Sequence, residues 1–218
     1  MIKTIIFDLD GTLLNTIDDL TDAGNWVCAQ NGWPTHTVEQ FKRMVGNGIP
    51  KLVERFSPEE ARSPEQLAAT LAQFTTRYDA HKQDKTAPYP GIPELLRDLR
   101  AEGFRCAVFS NKADDLCGKV ITHYFGADCF DAVRGNRPGV APKPDPTGLY
   151  DLMQSFGADP ATTLFVGDSN VDIQTGHNAS LPAVGVLWGF RDEAELTAAG
   201  ADVLVRTPAE ILTYAKQG

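Results

Sequence analysis

The spacing of apolar residues changes along this chain of 218 residues, and each change predicts a different kind of element. Near the amino terminus, Thr4-Ile5-Ile6-Phe7 is a short run of β-branched and aromatic residues, which is typical of a buried strand. The apolar spacing that follows is helical, and it predicts helices over 18–29, within 38–56 and over 64–78. A proline-rich stretch over 86–91 then indicates a linker.

Beyond this stretch, predicted helices alternate with predicted strands. The helices are expected over 92–101, 113–124 and 145–156, and the strands over 105–109, 130–133, 163–166, 183–186 and 202–205. Strands that are separated by helices pair in parallel through right-handed crossovers, which makes α/β the expected fold class. We therefore predict an α/β core of residues 1–15 and 85–218, interrupted by an inserted all-helical cap over residues 16–84.

Composition limits the classes of partner. The hydrophobic content of 42% supports a folded core, and the net charge of −9 argues against nucleic acid or an anionic membrane. No apolar run approaches the length of a membrane span, and the first strand begins too early for a signal peptide. The four cysteines lack metal-binding spacing and indicate reduced thiols. We expect a cytoplasmic protein, monomer or homodimer, for which a phosphorylated substrate stays possible because binding depends on local charge.

Two carboxylates, Asp8 and Asp10, follow the first predicted strand two positions apart, directly before Gly11. Side chains at positions i and i+2 of an extended segment point to the same face, so both carboxylates leave the strand end together. Two acids this close repel each other unless a cation lies between them. The alternative is a polar turn at a strand end, since Asp-Gly is a common turn dipeptide.

Polar residues also follow two further predicted strands at the same end. Ser110-Asn111 follows one strand, and Asp168 and Asp172 follow another. Because ligands of open parallel sheets bind beyond the carboxyl ends of the strands, these side chains are expected to meet Asp8. A hydroxyl and backbone N–H groups suit an anion, and carboxylates that face Asp8 would complete an oxygen-ligand site for Mg²⁺. In both places, capping of the next helix is the alternative role.

A single lysine, Lys143, lies in a proline-rich loop, Ala141-Pro142-Lys143-Pro144-Asp145-Pro146. A following proline disfavours helical backbone angles, so Lys143 is expected on a stiff, extended segment. From there its ammonium could neutralise a phosphoryl group and a neighbouring carboxylate. An ordinary solvated lysine is the alternative.

Taken together, these segments resemble the four ordered motifs of the haloacid dehalogenase superfamily, and the resemblance extends over nearly the whole chain. The matching residues are Asp8-Leu9-Asp10-Gly11-Thr12-Leu13, Ser110-Asn111, Lys143-Pro144 and Gly167-Asp168-Ser169-x-x-Asp172. The resemblance implies a Rossmann-like core with a mobile helical cap. Asn15 departs from the pattern, because many members have an aspartate there, but this position lies outside the central motifs.

The same resemblance implies a role for each matching residue. Asp8 would be the nucleophile that forms an aspartyl-phosphate, and Asp10 the general acid and then the general base. Mg²⁺ would be held by Asp8, Asp168 and the backbone carbonyl of Asp10. The phosphoryl group would be held by Ser110, the Asn111 amide and Lys143, with Thr12 and Asp172 in support. Phosphoryl transfer depends mainly on positioning and charge neutralisation, which fits these residue types.

The substrate is suggested by Asp10 and by the cap. Dehalogenases of this superfamily lack an acid at the position of Asp10, so its presence favours phosphate chemistry. The stretch with Gly46, Asn47, Gly48, Lys51 and Arg55, together with Gly185-Val186-Leu187-Trp188-Gly189, is similar to phosphoglycolate phosphatases, which implies 2-phosphoglycolate as substrate. Because the glycines can present backbone amides and the two cations share a helix face, we expect the five cap residues to recognise the carboxylate of this substrate. A plain turn between cap helices is the structural alternative. Pyrophosphatase, nucleotidase and sugar-phosphate phosphatase or mutase activity remain open, as does a non-enzymatic binding protein of the same fold.

Overall fold

In the computed structural model, which describes residues 1–217, the chain forms two compact units. Residues Met1–Leu14 and the chain from Pro88 onward form one unit, and Asn15–Ala87 form the other. The strands are, in chain order, β1 (Thr4–Phe7), β2 (Leu14–Asn15), β3 (Ala87–Pro88), β4 (Arg105–Ala113), β5 (Ala132–Asn136), β6 (Thr163–Gly167), β7 (Ala183–Val186) and β8 (Val203–Val205).

The helices of the second unit come first along the chain. They are α1 (Ile17–Gln30), α2 (Val38–Met44), α3 (Ile49–Phe56) and α4 (Pro64–His81). Those of the first unit are α5 (Ile92–Ala101), α6 (Asp114–Phe125), α7 (Thr147–Ser155), α8 (Asn170–Asn178), α9 (Glu193–Ala198) and α10 (Pro208–Gln217). Among the helices described over residues 1–217, none combines the length and the apolar character needed to cross a membrane.

Within the described residues, six strands form one sheet in the order β5-β4-β1-β6-β7-β8, and every pairing in it is parallel. The central strand β1 is buried along its whole length, which explains its continuous apolar run. Ile6 lies beside Ala107 on one side and Phe165 on the other. An apolar cluster around these three residues includes α7, through Leu149, Leu152 and Met153. The predicted α/β fold with a parallel sheet is confirmed.

The helical unit has an aromatic core. The rings of Phe41, Phe56, Phe74 and Tyr78 follow one another with centroid separations of 6.0, 5.9 and 5.7 Å. At one end of this unit, the buried carboxylate of Asp19 in α1 accepts a hydrogen bond from the Thr86 backbone N–H at 2.9 Å. This contact ties the end of the segment back to its first helix.

Several element boundaries differ from the sequence prediction. The helical stretch over 38–56 is broken, because Val45 is extended and both Gly46 and Gly48 have positive φ. The strand expected over 130–133 is β5, which spans Ala132–Asn136; just before it, the Asp131 backbone N–H donates to the Cys106 carbonyl at 2.7 Å, and the Asp131 carboxylate accepts a hydrogen bond from the Cys106 backbone N–H at 2.9 Å. Finally, β4 continues to Ala113, where pairing with Asn136 resumes after an irregularity.

Candidate active site

The nucleophile position predicted for Asp8 lies at the carboxyl end of β1. Its backbone N–H donates to the Val166 carbonyl at 2.8 Å, so the ladder with β6 continues to this residue. Its side chain is buried, and Oδ1 accepts a hydrogen bond from Lys143 Nζ at 2.7 Å. The lysine is 135 residues away along the chain, and the fold brings it to the strand end.

Lys143 contacts a second carboxylate as well. Its Nζ donates to Asp172 Oδ1 at 2.7 Å, and the lysine side chain is only 2% exposed. Burial lowers the pKa of Lys143, but the facing carboxylates of Asp172 and Asp8 outweigh burial and raise that pKa above its ordinary value. The ammonium is therefore a fixed positive charge between two acids, and the solvated alternative for this lysine does not hold.

The loop that carries Lys143 is held by Asn111. The Asn111 side chain accepts a hydrogen bond from the Lys143 backbone N–H at 2.8 Å and donates one to the Lys143 carbonyl at 3.2 Å. Ser110 and Asn111 were expected just after a strand, whereas they lie inside β4 in its irregular part. The helix α6 that follows has Ala113 at its N-cap, which makes no side-chain cap hydrogen bond, so the capping role does not apply to Ser110 or Asn111.

Three buried carboxylates, those of Asp8, Asp168 and Asp172, come together with ligand oxygens within 4.8 Å of one another. Burial raises the pKa of Asp8 to about 7; the negative charges of Asp172 and Asp10 add to this shift, and Lys143 opposes it. Burial, Asp172 and Asp8 likewise raise the pKa of Asp168 well above its usual range. When its three carboxylates are ionised, the cluster carries more negative charge than Lys143 balances. Oxygen donors with excess negative charge fit a hard divalent cation.

Asp168 is fixed in this cluster by its neighbours. Its Oδ1 accepts a hydrogen bond from the Thr12 hydroxyl at 3.1 Å, and its Oδ2 accepts one from the Phe190 backbone N–H at 2.7 Å. The backbone of Gly11 and Gly189 packs so closely that a Cβ on either residue would overlap the Asp168 side chain. Both glycines thus leave the room that the carboxylate occupies.

Asp172 has the capping role that the sequence allowed, and it also faces the lysine of the site. Its Oδ2 accepts a hydrogen bond from the Ser169 backbone N–H at 3.0 Å, which caps the first turn of α8. Its other oxygen faces Lys143. Capping and charge pairing are therefore not exclusive at this residue.

A second buried lysine, Lys112, was missed by the sequence reasoning. Its Nζ lies 3.1 Å and 3.0 Å from the two carboxylate oxygens of Asp10. Its backbone N–H also donates to Ser110 Oγ at 3.2 Å. The available signal was the spacing: Lys112 follows Ser110 by two residues, as Asp10 follows Asp8, which predicts a shared face if the strand continues.

The residues predicted as specificity determinants all lie in the helical unit. Gly46, Asn47 and Gly48 form the break between α2 and α3, and Arg55 donates a hydrogen bond to Asn47 Oδ1 at 2.7 Å. The ammonium of Lys51 pairs with Glu54 at 2.7 Å on an exposed part of α3. Arg55 thus holds the turn, whereas Lys51 projects from it beside an acid.

Known proteins resemble this chain over most of its length. A family model described as haloacid dehalogenase-like hydrolase matches residues 5–186. A phosphoglycolate phosphatase of Caulobacter vibrioides is 34% identical over 206 residues, covering 94% of this chain and 86% of the relative. A phosphoglycolate phosphatase of Thiobacillus denitrificans is 31% identical, covering 96% and 93%. A solved structure from Lactobacillus delbrueckii, assigned as a phosphoglycolate phosphatase, has a TM-score of 0.91 at 31% identity and covers 98% of both chains.

Proposed function

The chain belongs to the haloacid dehalogenase-like hydrolases and is a phosphatase of that family, and we propose that it hydrolyses 2-phosphoglycolate to glycolate and phosphate. The observation that carries the proposed phosphoryl transfer is the buried contact of 2.7 Å between Lys143 Nζ and Asp8 Oδ1. A carboxylate held against a fixed ammonium at a strand end is a suitable nucleophile for a phosphoryl group, whose negative charge the same ammonium can neutralise.

In the first half of the reaction, an Asp8 oxygen attacks phosphorus while the ester oxygen of glycolate leaves. Asp10, in its protonated form, gives its proton to that oxygen, so neutral alcohol is released. In the second half, Asp10 accepts a proton from water while the water oxygen attacks phosphorus. The Asp8–phosphorus bond then breaks, phosphate is released, and Asp8 returns to a carboxylate with Asp10 protonated again.

Charge neutralisation at the phosphoryl group is assigned to Lys143, the Ser110 hydroxyl and the Asn111 backbone amide. Mg²⁺, held by Asp8, Asp168 and the Asp10 carbonyl, would supply further positive charge against the phosphoryl oxygens. The excess of buried carboxylates around Asp168 supports a cation at this place. Thr12 and Asp172 support this arrangement by holding Asp168 and Lys143.

The assignment of 2-phosphoglycolate rests on the names of the curated relatives and on the break between α2 and α3. We propose that this segment reads the carboxylate of the substrate, through the amides of Gly46, Asn47 and Gly48 and the charges of Lys51 and Arg55. Glycines can present backbone N–H groups without obstruction and accept the positive φ found at this break.

Phosphate release tests the proposal. The purified protein is assayed with 2-phosphoglycolate, pyrophosphate, nucleoside monophosphates and hexose phosphates at equal concentrations, with Mg²⁺ and with excess chelator. We expect the highest kcat/KM for 2-phosphoglycolate and loss of activity with chelator. A higher kcat/KM for any other compound would move the assignment to that substrate class, and no phosphate release with any of them would favour a binding protein. Asp8→Asn must abolish turnover in a protein that still folds, and appreciable steady-state turnover in that variant would refute the nucleophile assignment.

A further inference from the structure

Lys112 is a buried cation that has no role in the reaction described above. Its side chain is 2% exposed, and that of its partner Asp10 is 15% exposed. The ammonium lies within 3.1 Å of both Asp10 oxygens rather than one. We propose that Lys112 is a positioning residue that fixes the Asp10 carboxylate for proton transfer. This inference rests on the proposed role of Asp10 as general acid and base.

The geometry explains why Asp10 needs such a partner. A carboxylate at the end of a short side chain can rotate, and proton transfer requires one oxygen within hydrogen-bond reach of the leaving group. Contact with both oxygens restrains the plane of the carboxylate. Burial of an ammonium is costly unless it is paired, so once Asp10 has given up its proton, its carboxylate and the Lys112 ammonium compensate each other's charge.

The main chain places this ammonium accurately. Lys112 lies in β4, whose ladder with β5 resumes at the next residue, Ala113. Its backbone N–H donates to the hydroxyl of Ser110, itself buried. The two buried lysines thus contact different carboxylates, Lys143 those of Asp8 and Asp172 and Lys112 that of Asp10.

The test compares Lys112→Met, which removes the ammonium at similar length, with Lys119→Met as the matched control. Lys119 lies in α6, is 69% exposed and pairs only distantly with Asp115. kcat and KM are measured with 2-phosphoglycolate, whose alcohol leaving group needs a proton, and with 4-nitrophenyl phosphate, whose leaving group does not. Asp10→Asn and the double variant Asp10→Asn, Lys112→Met are measured in parallel.

We expect Lys112→Met to lower kcat on 2-phosphoglycolate by roughly 10-fold or more, since general acid–base catalysis contributes on the order of 10²–10⁴ in rate. The loss on 4-nitrophenyl phosphate should be much smaller, and KM should change little. In the Asp10→Asn background, Lys112→Met should cost little more, because two residues that act as one unit are not additive. Lys119→Met should match the unmodified protein.

Equal losses on both substrates, a loss confined to KM, or an undiminished penalty in the Asp10→Asn background would each overturn the inference. Lys112→Gln, which keeps a hydrogen-bond donor, is judged by the same criteria, so the test stands even if the Met variant fails to fold. The single Asp10→Asn variant distinguishes a failure of the role proposed for Asp10 from a failure of the role proposed for Lys112. If it shows no preference for the aryl substrate, the proposed role of Asp10 is wrong; if it does and Lys112→Met does not, only the role of Lys112 is wrong.

Discussion

The side chain of Asn111 forms two hydrogen bonds with the main chain of Lys143, one to its N–H and one to its carbonyl. The two residues are 32 positions apart, so β4 directly fixes the loop that delivers the ammonium to Asp8. The Asn111 side chain therefore holds the Lys143 loop in place. The Asn111 backbone amide is the group assigned to the phosphoryl oxygens.

Replacing Asn111 should disturb Lys143 without removing it. Asn111→Leu keeps the approximate size but loses both hydrogen bonds, and we expect kcat to fall by about 10-fold or more, because a displacement of about 1 Å can cost on the order of 10²-fold in rate. Steady-state kinetics with an aryl phosphate measures this loss independently of the leaving-group proton. Asn178→Leu is the control, since Asn178 donates to the neighbouring Pro144 carbonyl at 2.9 Å from an exposed position. Equal losses of kcat in the two variants would contradict this role of the Asn111 side chain in holding the Lys143 loop.

Gly189 should be intolerant of even one methyl group. A Cβ there would overlap the Asp168 side chain. We therefore expect Gly189→Ala to displace Asp168 and to raise the Mg²⁺ concentration needed for half-maximal activity. Gly118→Ala is the control, because a Cβ on that α6 residue meets nothing within 4 Å and the change should stabilise the helix by up to about 1 kcal/mol. An unchanged Mg²⁺ requirement in Gly189→Ala would show that the backbone yields instead.

The parts of this site that could be predicted from sequence are those that follow directly from a strand end. Asp8, Asp168 and Asp172 follow apolar runs, and parallel pairing of those runs suffices to bring them together. Lys112 could not be placed, because its position depends on β4 continuing past Phe109. That continuation is decided by tertiary pairing with β5 rather than by local propensity.

In the helical unit, too, local sequence does not determine where an element ends. Helical spacing over 38–56 is genuine on both sides of the break, so periodicity alone does not show where α2 ends. The break is stabilised by Arg55, which reaches back to Asn47, a contact between residues eight apart. The clamp of Asn111 on Lys143 is a stronger case, since it depends on the path of a loop that local sequence does not determine.

Mg²⁺ should stabilise the folded protein through Asp168. A ligand that binds only the folded state adds about 2.7 kcal/mol at 100 times its Kd, so Tm should rise with Mg²⁺ and return to its starting value with chelator. Asp168→Asn should have two opposite effects. The substitution removes a carboxylate whose negative charge is disfavoured by burial and by Asp172 and Asp8, so Tm without metal should rise or stay unchanged. The increase in Tm on adding Mg²⁺ should largely vanish. Differential scanning fluorimetry measures both, with Asp79→Asn in exposed α4 sequence as control. A full Mg²⁺ increment in Asp168→Asn would exclude Asp168 as a ligand.

Lys51 and Arg55 should differ in what their loss does. Arg55 donates to Asn47 and so supports the turn of Gly46 and Gly48, whereas Lys51 contacts Glu54 on an exposed surface. If both contribute to reading the substrate carboxylate, either alanine variant should lower kcat/KM on 2-phosphoglycolate more than on 4-nitrophenyl phosphate, which lacks that group.

Stability then separates the two residues. Arg55→Ala should also lower Tm, because the turn loses its hydrogen bond, whereas Lys51→Ala should leave Tm nearly unchanged, since exposed ion pairs contribute about 0–1 kcal/mol. Lys42→Ala is the matched control for Lys51, because Lys42 also pairs with an acid three residues away, Glu39, at 2.7 Å. If Lys51→Ala and Lys42→Ala gave the same kcat/KM on 2-phosphoglycolate, Lys51 would have no part in specificity. A loss confined to Arg55→Ala and accompanied by a lower Tm would assign this segment a structural role alone, and the carboxylate would have to be read elsewhere.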